Sequence, residues 1–267
     1  MTMSREWGSD MDIQKLSKAP LIEAIFEMRW RMKGSSPDNP IVDPHYKVLV
    51  GEFYGAAKQQ YPYHEQLPTA DIPEPVAAYV VQHQFRTGKD RWPLIQIGPG
   101  IISLNETENY LWADFETSII NMVKMLFNTH PAPENREFTG LMLRYIDACD
   151  FDYRQSNVLE FLSSNLKINA SINDELFKEA PVEKIPLGVD LKFTYPLHKP
   201  RGVIHFRCAR GVKKDKPALV WETVVQSLGR DVPQNEDEIV KWADDAHALT
   251  HKWFFKMIDG KLLEDFK

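Results

Sequence analysis

Cysteine is almost missing from this chain, long apolar runs are missing altogether, and so is any excess of positive charge. Each shortage removes a class of protein. Only Cys149 and Cys208 occur, both in apolar strand-like surroundings, so there is no disulfide framework and no paired Cys-x-x-Cys. Polar residues interrupt every apolar stretch within about ten positions, whereas a bilayer span needs about 20. No membrane span and no membrane partner are expected. The start of the chain has no basic segment followed by an apolar one, so a cytoplasmic location is expected. A formal net charge of −6 weighs against a general nucleic-acid binder, because phosphate neutralisation shows as a basic excess. Gly98-Pro99-Gly100 lacks the third glycine of a dinucleotide loop and precedes a strand-like run instead of a helix. No Gly-x-Ser-x-Gly elbow is present. No cofactor is therefore expected.

What is present is enough to fold. At 267 residues, 43% hydrophobic and 26% charged, the chain can bury a substantial core as one large domain or two intimate halves. Residues 1–18 read as a polar N-terminal tail, 19–130 as a first half and 131–267 as a second, divided at Pro131-Ala132-Pro133. Leu21 to Arg31 alternates: Ile22, Ala24, Phe26, Met28 and Trp30 on one face, Glu23, Glu27, Arg29 and Arg31 on the other, as in a half-buried strand. A loop at Gly34-Ser35-Ser36-Pro37 leads to a helix over His45 to Gln60. Strands follow over Tyr79 to Thr87, Pro93 to Gly98 and Gly100 to Asn105. Trp112 to Asn128 carries Phe115, Ile119, Met122, Val123 and Leu126 at helical spacing.

The second half repeats that order. It begins with a strand over Phe138 to Cys149 and a short helix over Asn157 to Lys167. Strands over Leu187 to Tyr195, Gly202 to Ala209 and Ala218 to Leu228 come next, then a long helix from beyond Pro233 to about Lys261. Strand, helix, three strands, helix, twice over, predicts an α+β fold of two similar halves with antiparallel sheets packed on long helices. It does not fit a doubly wound parallel sheet.

The stretch Lys18-Ala19-Pro20-Leu21-Ile22-Glu23-Ala24-Ile25-Phe26-Glu27, the run Leu143-Arg144-Tyr145-Ile146-Asp147, and His247 with Phe254 resemble a sporadically distributed bacterial protein family. Its members are of similar length and have no assigned biochemical function. The resemblance implies a bacterial cytoplasmic protein from a mobile or defence-associated locus. It implies no catalytic residues.

Five features are candidates for function. His247 and His251, with Asp244 three before the first, share a helix face at a spacing able to bind a metal, but Ala248 stands where a zincin would carry its Glu. Asp147, Asp150 and Asp152 cluster at a strand end, where carboxylates either hold Mg²⁺ or simply meet solvent. Arg144, on an apolar strand, must find a carboxylate or a ligand anion, with Glu23 or Glu27 the expected partner. Between Lys199 and Lys216 lie Lys199, Arg201, Arg207, Arg210, Lys213, Lys214 and Lys216, with His205 among them and only Asp215 opposing. Arg210 to Lys216 is read as the turn of this basic hairpin. Trp242, Trp253 and Phe255 on the last helix supply aromatic surface for a pocket or a partner.

The expected function is non-enzymatic binding, with Arg144, His205, Arg207, Arg210, Lys213, Lys214, Trp242 and Trp253 as binding residues. The expected partner is a protein encoded beside this one, with a homodimer an open alternative. Two rivals are a nucleic-acid-associated component using the 199–216 hairpin, and a metal-dependent hydrolase built on His247, His251 and the Asp147 cluster.

Overall fold

The computed structural model describes residues 16–34 and 41–267. Most of the expected tail, residues 1–15, lies outside the described residues, as do Ser35, Ser36 and Pro37 of the expected loop. The chain forms β1 (Leu21–Trp30), α1 (Tyr46–Ala57), β2 (Tyr63–Gln66), β3 (His83–Arg86), β4 (Leu94–Gly98), β5 (Ile101–Glu106) and α2 (Trp112–Thr129). It continues through β6 (Phe138–Asp150), α3 (Val158–Asn165), β7 (Asp190–His198), β8 (Arg201–Lys213), β9 (Lys216–Leu228), α4 (Glu236–Ile258) and α5 (Lys261–Phe266). It is a mixed α+β fold. The strands make one 9-stranded sheet in the order β2-β3-β4-β5-β1-β6-β9-β8-β7, every neighbouring pair antiparallel.

The strand that opens each stretch of the chain lies at the centre. β1 and β6 pair antiparallel from Leu21↔Asp147 to Trp30↔Phe138. The period of two then sorts their side chains. Ala24, Phe26, Met28 and Trp30 are buried on one face, with Leu141, Leu143, Tyr145 and Asp147 of β6. Glu23, Ile25, Glu27 and Arg29 point the other way and are half-buried, with Met142, Arg144 and Ile146. Ile22 breaks the expected alternation: the register shifts between Leu21 and Glu23, and this bulge leaves it exposed.

Every helix covers the first of these faces. One apolar cluster joins Phe26, Met28 and Trp30 to Leu49 and Phe53 of α1, Ile119, Met122 and Leu126 of α2, and Trp242 and Ala246 of α4. A second joins Cys149, Trp221 and Cys208 to Val158 and Leu162 of α3, Ile258 of α4, and Leu262 and Phe266 of α5. The strand residues in both clusters belong to the helix-covered face, and among the described residues no α-helix joins the opposite face to either cluster. On the first-half strands of that opposite face Gln84, Leu94, Ile101, Ser103 and Asn105 are still buried, whereas Asp190, Lys192, Thr194 and Arg207 of β7 and β8 are exposed.

Local chemistry explains the boundaries. Asn235 begins α4 by accepting a hydrogen bond from the backbone of Glu238 at 3.0 Å, as Asn157 does for α3 from Leu159 at 3.0 Å. The last helix was expected to run unbroken to Lys261. It stops at Ile258, because Gly260 adopts φ +115°, a conformation open chiefly to glycine, and α5 starts afresh. Leu16 packs against the second cluster, and the backbone N–H of Lys18 donates to Phe266 O at 3.0 Å, so order begins before the expected limit of the tail.

Candidate functional site

On the uncovered face the register lays out two adjacent cross-strand rows. One runs Ile146, Glu222, Arg207, Lys192 across β6, β9, β8 and β7; the next runs Arg144, Val224, His205, Thr194. Directly opposed residues on one face approach closely enough to interact, and diagonal ones lie within reach of long side chains. Arg144 Nη2 accordingly meets Glu222 Oε2 at 2.9 Å, and Arg207 Nη1 lies 4.0 Å from the other oxygen of the same carboxylate. Arg207 also grips Asp190 in a two-pronged contact, Nε to Oδ1 at 2.8 Å and Nη2 to Oδ2 at 2.7 Å. That fork matches the carboxylate geometry, raises the arginine pKa and holds Asp190 below its ordinary value.

Beside this ladder is a cleft of about 200 Å³ lined by Lys192, His205, Arg207, Glu222 and Val224. His205 Nδ1 is fixed by Thr194 Oγ1 at 2.8 Å, which orients the ring. Arg144 Nε is buried on the same face without a hydrogen-bond partner. A buried donor left unmade costs about 1–3 kcal/mol, so this N–H favours an incoming acceptor. Lysine ammonium, imidazole and guanidinium around one small cleft can hold a carboxylate or phosphate oxygen. The same cluster has no nucleophile poised beside a free base.

Three expected binding residues, Arg144, His205 and Arg207, are thus brought together, though not as foreseen. Arg144 was expected to pair with Glu23 or Glu27. All three carboxylates stand at diagonal positions to it, since Glu23 and Glu222 both oppose Ile146 and Glu27 opposes Met142. Glu23 is instead engaged by Asn105 Nδ2 at 2.8 Å and Glu27 by Arg29 Nε at 2.6 Å, which leaves Glu222 for Arg144.

The remaining candidates scatter. The hairpin turn is only Lys214-Asp215, not Arg210 to Lys216, because β8 and β9 stay paired out to Lys213↔Lys216. Arg210 lies on the helix-covered face, its guanidinium 5.1 Å from the Tyr153 ring centre and donating to Leu187 O at 2.8 Å. Lys213 Nζ donates to Ala148 O at 2.9 Å. Trp242 is buried in the core with its indole N–H on Ser227 Oγ at 2.7 Å, and Trp253 is half-buried against Tyr195, 5.9 Å between ring centres.

The two histidines of the last helix lie against aromatic rings. His247 accepts or donates at Nδ1 with Tyr145 OH at 2.9 Å, and Tyr145 OH in turn meets Tyr110 OH at 2.8 Å. His251 packs on Phe255 at 4.7 Å between ring centres. Asp147 is buried, Asp150 is exposed, and Asp152 accepts from the backbone of Arg154, so the three carboxylates do not converge. Among the described residues no group of three or more potential metal ligands comes together. Among the described residues no helix is long and apolar enough to cross a membrane.

Sequence reasoning missed Glu222, Asp190 and Lys192. Their types are ordinary; only the pairing of β7, β8, β9 and β6 makes them neighbours of Arg207. No known family model matches this chain, and no curated protein does either.

Proposed function

We propose that this chain is a binding protein, not an enzyme, and that it holds a protein partner on the uncovered face of its sheet. The carrying observation is the Arg144, Glu222, Arg207, Asp190 ladder with its adjoining cleft, on the second-half part of a face where no α-helix packs among the described residues. The ladder's charges are largely satisfied, which fixes the side chains in place. Lys192, His205 and the unpaired Arg144 N–H remain free to receive an acidic side chain of the partner. With Trp242 buried and Trp253 packed on Tyr195, recognition is placed on this face and not on α4.

The strand order supports a second part of the reading, an internal duplication. β1 followed outward by β5, β4 and β3 mirrors β6 followed by β9, β8 and β7, with α1 and α2 in the places of α3 and α4. The resemblance to a bacterial family of unassigned function supports reading the chain as a component of a complex encoded beside its partner. The charged ladder and its cleft belong to the second half.

Coexpression with the product of the neighbouring gene, followed by copurification, tests the proposal. Lys192→Glu, at a residue in no ion pair among the described residues, should release the partner and leave thermal unfolding of the chain nearly unchanged. Val48→Lys, on the exposed side of α1, should retain it. A lone monomer with full cellular function, or a partner lost only on the helix side, would overturn the reading.

A further inference from the structure

A second cleft, of about 400 Å³, opens at the far end of the central strands. It is bounded by Lys18 ahead of β1, Lys213, Lys214 and Lys216 of the hairpin tip, and the exposed carboxylates of Asp150 and Asp265. Four lysines against two carboxylates make it a basic spot on a chain of net charge −6. Among the described residues none of these four lysines is in an ion pair.

The hairpin tip, which carries three of the four, is unfavourable in two independent ways. Lys213 and Lys216 stand directly opposite each other as the closing pair of the hairpin, where like charges destabilise. The two turn residues, Lys214 at φ +49° and Asp215 at φ +62°, both occupy the left-handed region that such a turn reserves for Asn-Gly. Strained backbone and repelling cations gathered at one point fit a binding function better than a folding one. A multiply charged anion in the cleft would neutralise the lysines and relieve their repulsion.

We propose that this cleft binds a small oligophosphate, free or as the phosphate chain of a nucleotide. Its volume matches a small ligand. The carboxylates of Asp150 and Asp265 at its edge disfavour a continuous nucleic-acid backbone. Lys214 and Lys216, both exposed, reach the phosphates, while Lys213, held to Ala148 O, supplies fixed charge at the wall.

Calorimetric titration of the full chain at low salt with inorganic tripolyphosphate, ATP and a short single-stranded RNA tests this. Tripolyphosphate should bind, and Lys214→Asn with Lys216→Thr should weaken it by about tenfold or more. Asparagine tolerates the left-handed turn and threonine suits a strand, so this variant should fold at least as stably as the parent. Lys192→Glu, on the open face, should leave the affinity unchanged, which separates this cleft from the partner surface. Equal binding of tripolyphosphate and ATP assigns the phosphate chain alone; tighter ATP binding adds the nucleoside. No heat at millimolar tripolyphosphate, RNA bound more tightly than either, or full affinity in the Lys214/Lys216 variant would overturn the proposal.

Discussion

His247 lies flat on Trp112, ring centres 3.9 Å apart and planes 4° from parallel. The contact joins the start of α2 to the middle of α4, and Tyr145 beneath them ties both to the sheet through His247 Nδ1. Burial drives the imidazole down to about 3, with His251 adding to the effect. The ring is therefore neutral at pH 7. A base with a folded pKa below its unfolded value gives no penalty above about 6.5 and costs stability as pH falls from there towards 3. Urea unfolding at pH 7 and pH 5 should show a loss at the lower pH that is smaller in His247→Gln than in the parent. An NMR titration of His247 with its midpoint near pH 6.5 would contradict this.

Asp147 has the opposite sign. It is fully enclosed on the helix-covered face of β6, and burial raises its carboxyl from 3.8 to about 7, against the pull of Lys213 and the indole N–H of Trp221. Trp221 Nε1 makes no complete hydrogen bond, so it offsets little of the desolvation. An acid whose pKa rises on folding binds its proton more tightly in the native state. Its contribution is most favourable below about pH 4, declines as pH rises through 7, and stays at its lowest above. Asp147→Asn should remove that decline and be the more stable protein at pH 8, by on the order of a few kcal/mol at most. Urea midpoints at pH 5 and 8 for both proteins would decide it; an asparagine variant weaker than the parent at pH 8 would refute the burial argument.

Much of the frame was legible in single segments. β1 could be read because its buried and half-buried residues alternate strictly from Glu23 to Trp30, and α2 because Phe115, Ile119, Met122, Val123 and Leu126 form one stripe. β2 could not. It is a four-residue edge strand with every side chain exposed, so no hydrophobic period marks it. The hairpin turn was misplaced for a related reason: Lys214-Asp215 lacks the Asn-Gly signature, and the charges around it resemble a loop. The candidate site was half legible. Arg144, His205 and Arg207 were visible as unusual strand residues, but their convergence on Glu222 depends on four strands meeting in register, which no local pattern encodes.

That convergence makes Glu222 the sensitive member of the ladder. Removing Arg144 leaves its carboxylate beside Arg207, whereas Glu222→Gln leaves two guanidinium groups facing each other across an uncharged amide. Partly exposed pairs contribute only about 0–1 kcal/mol each, so Arg144→Met should change stability little. Glu222→Gln should cost about 1 kcal/mol at low salt and less at high salt, where repulsion between the arginines is screened. Thermal unfolding of both variants across a salt series would test this order. Equal losses, or a loss for Glu222→Gln that salt does not reduce, would show that the ladder is not held by charge.

Gly98 controls the other end of the sheet. A Cβ placed there would stand 2.0 Å from Val80 O and 2.8 Å from Val81 Cα, both backbone atoms that no rotamer change can move. The crossing segment is fixed on either side, Tyr79 N to Pro99 O at 3.0 Å and Gln82 N to Ile97 O at 2.9 Å. It also carries the Tyr79 ring, 5.3 Å from the guanidinium of Arg29 on the uncovered face. Gly98→Ala should therefore displace the segment, break at least one of these hydrogen bonds and cost about 3 kcal/mol or more. Gly51, in α1 with nothing within 4 Å of its would-be Cβ, is the control. There alanine removes only the conformational freedom of a helical glycine and should stabilise by about 0.5–1 kcal/mol. Urea unfolding of the two variants side by side should move the midpoint in opposite directions. A Gly98→Ala protein as stable as the parent would mean that the Tyr79–Gln82 segment is not held against β4.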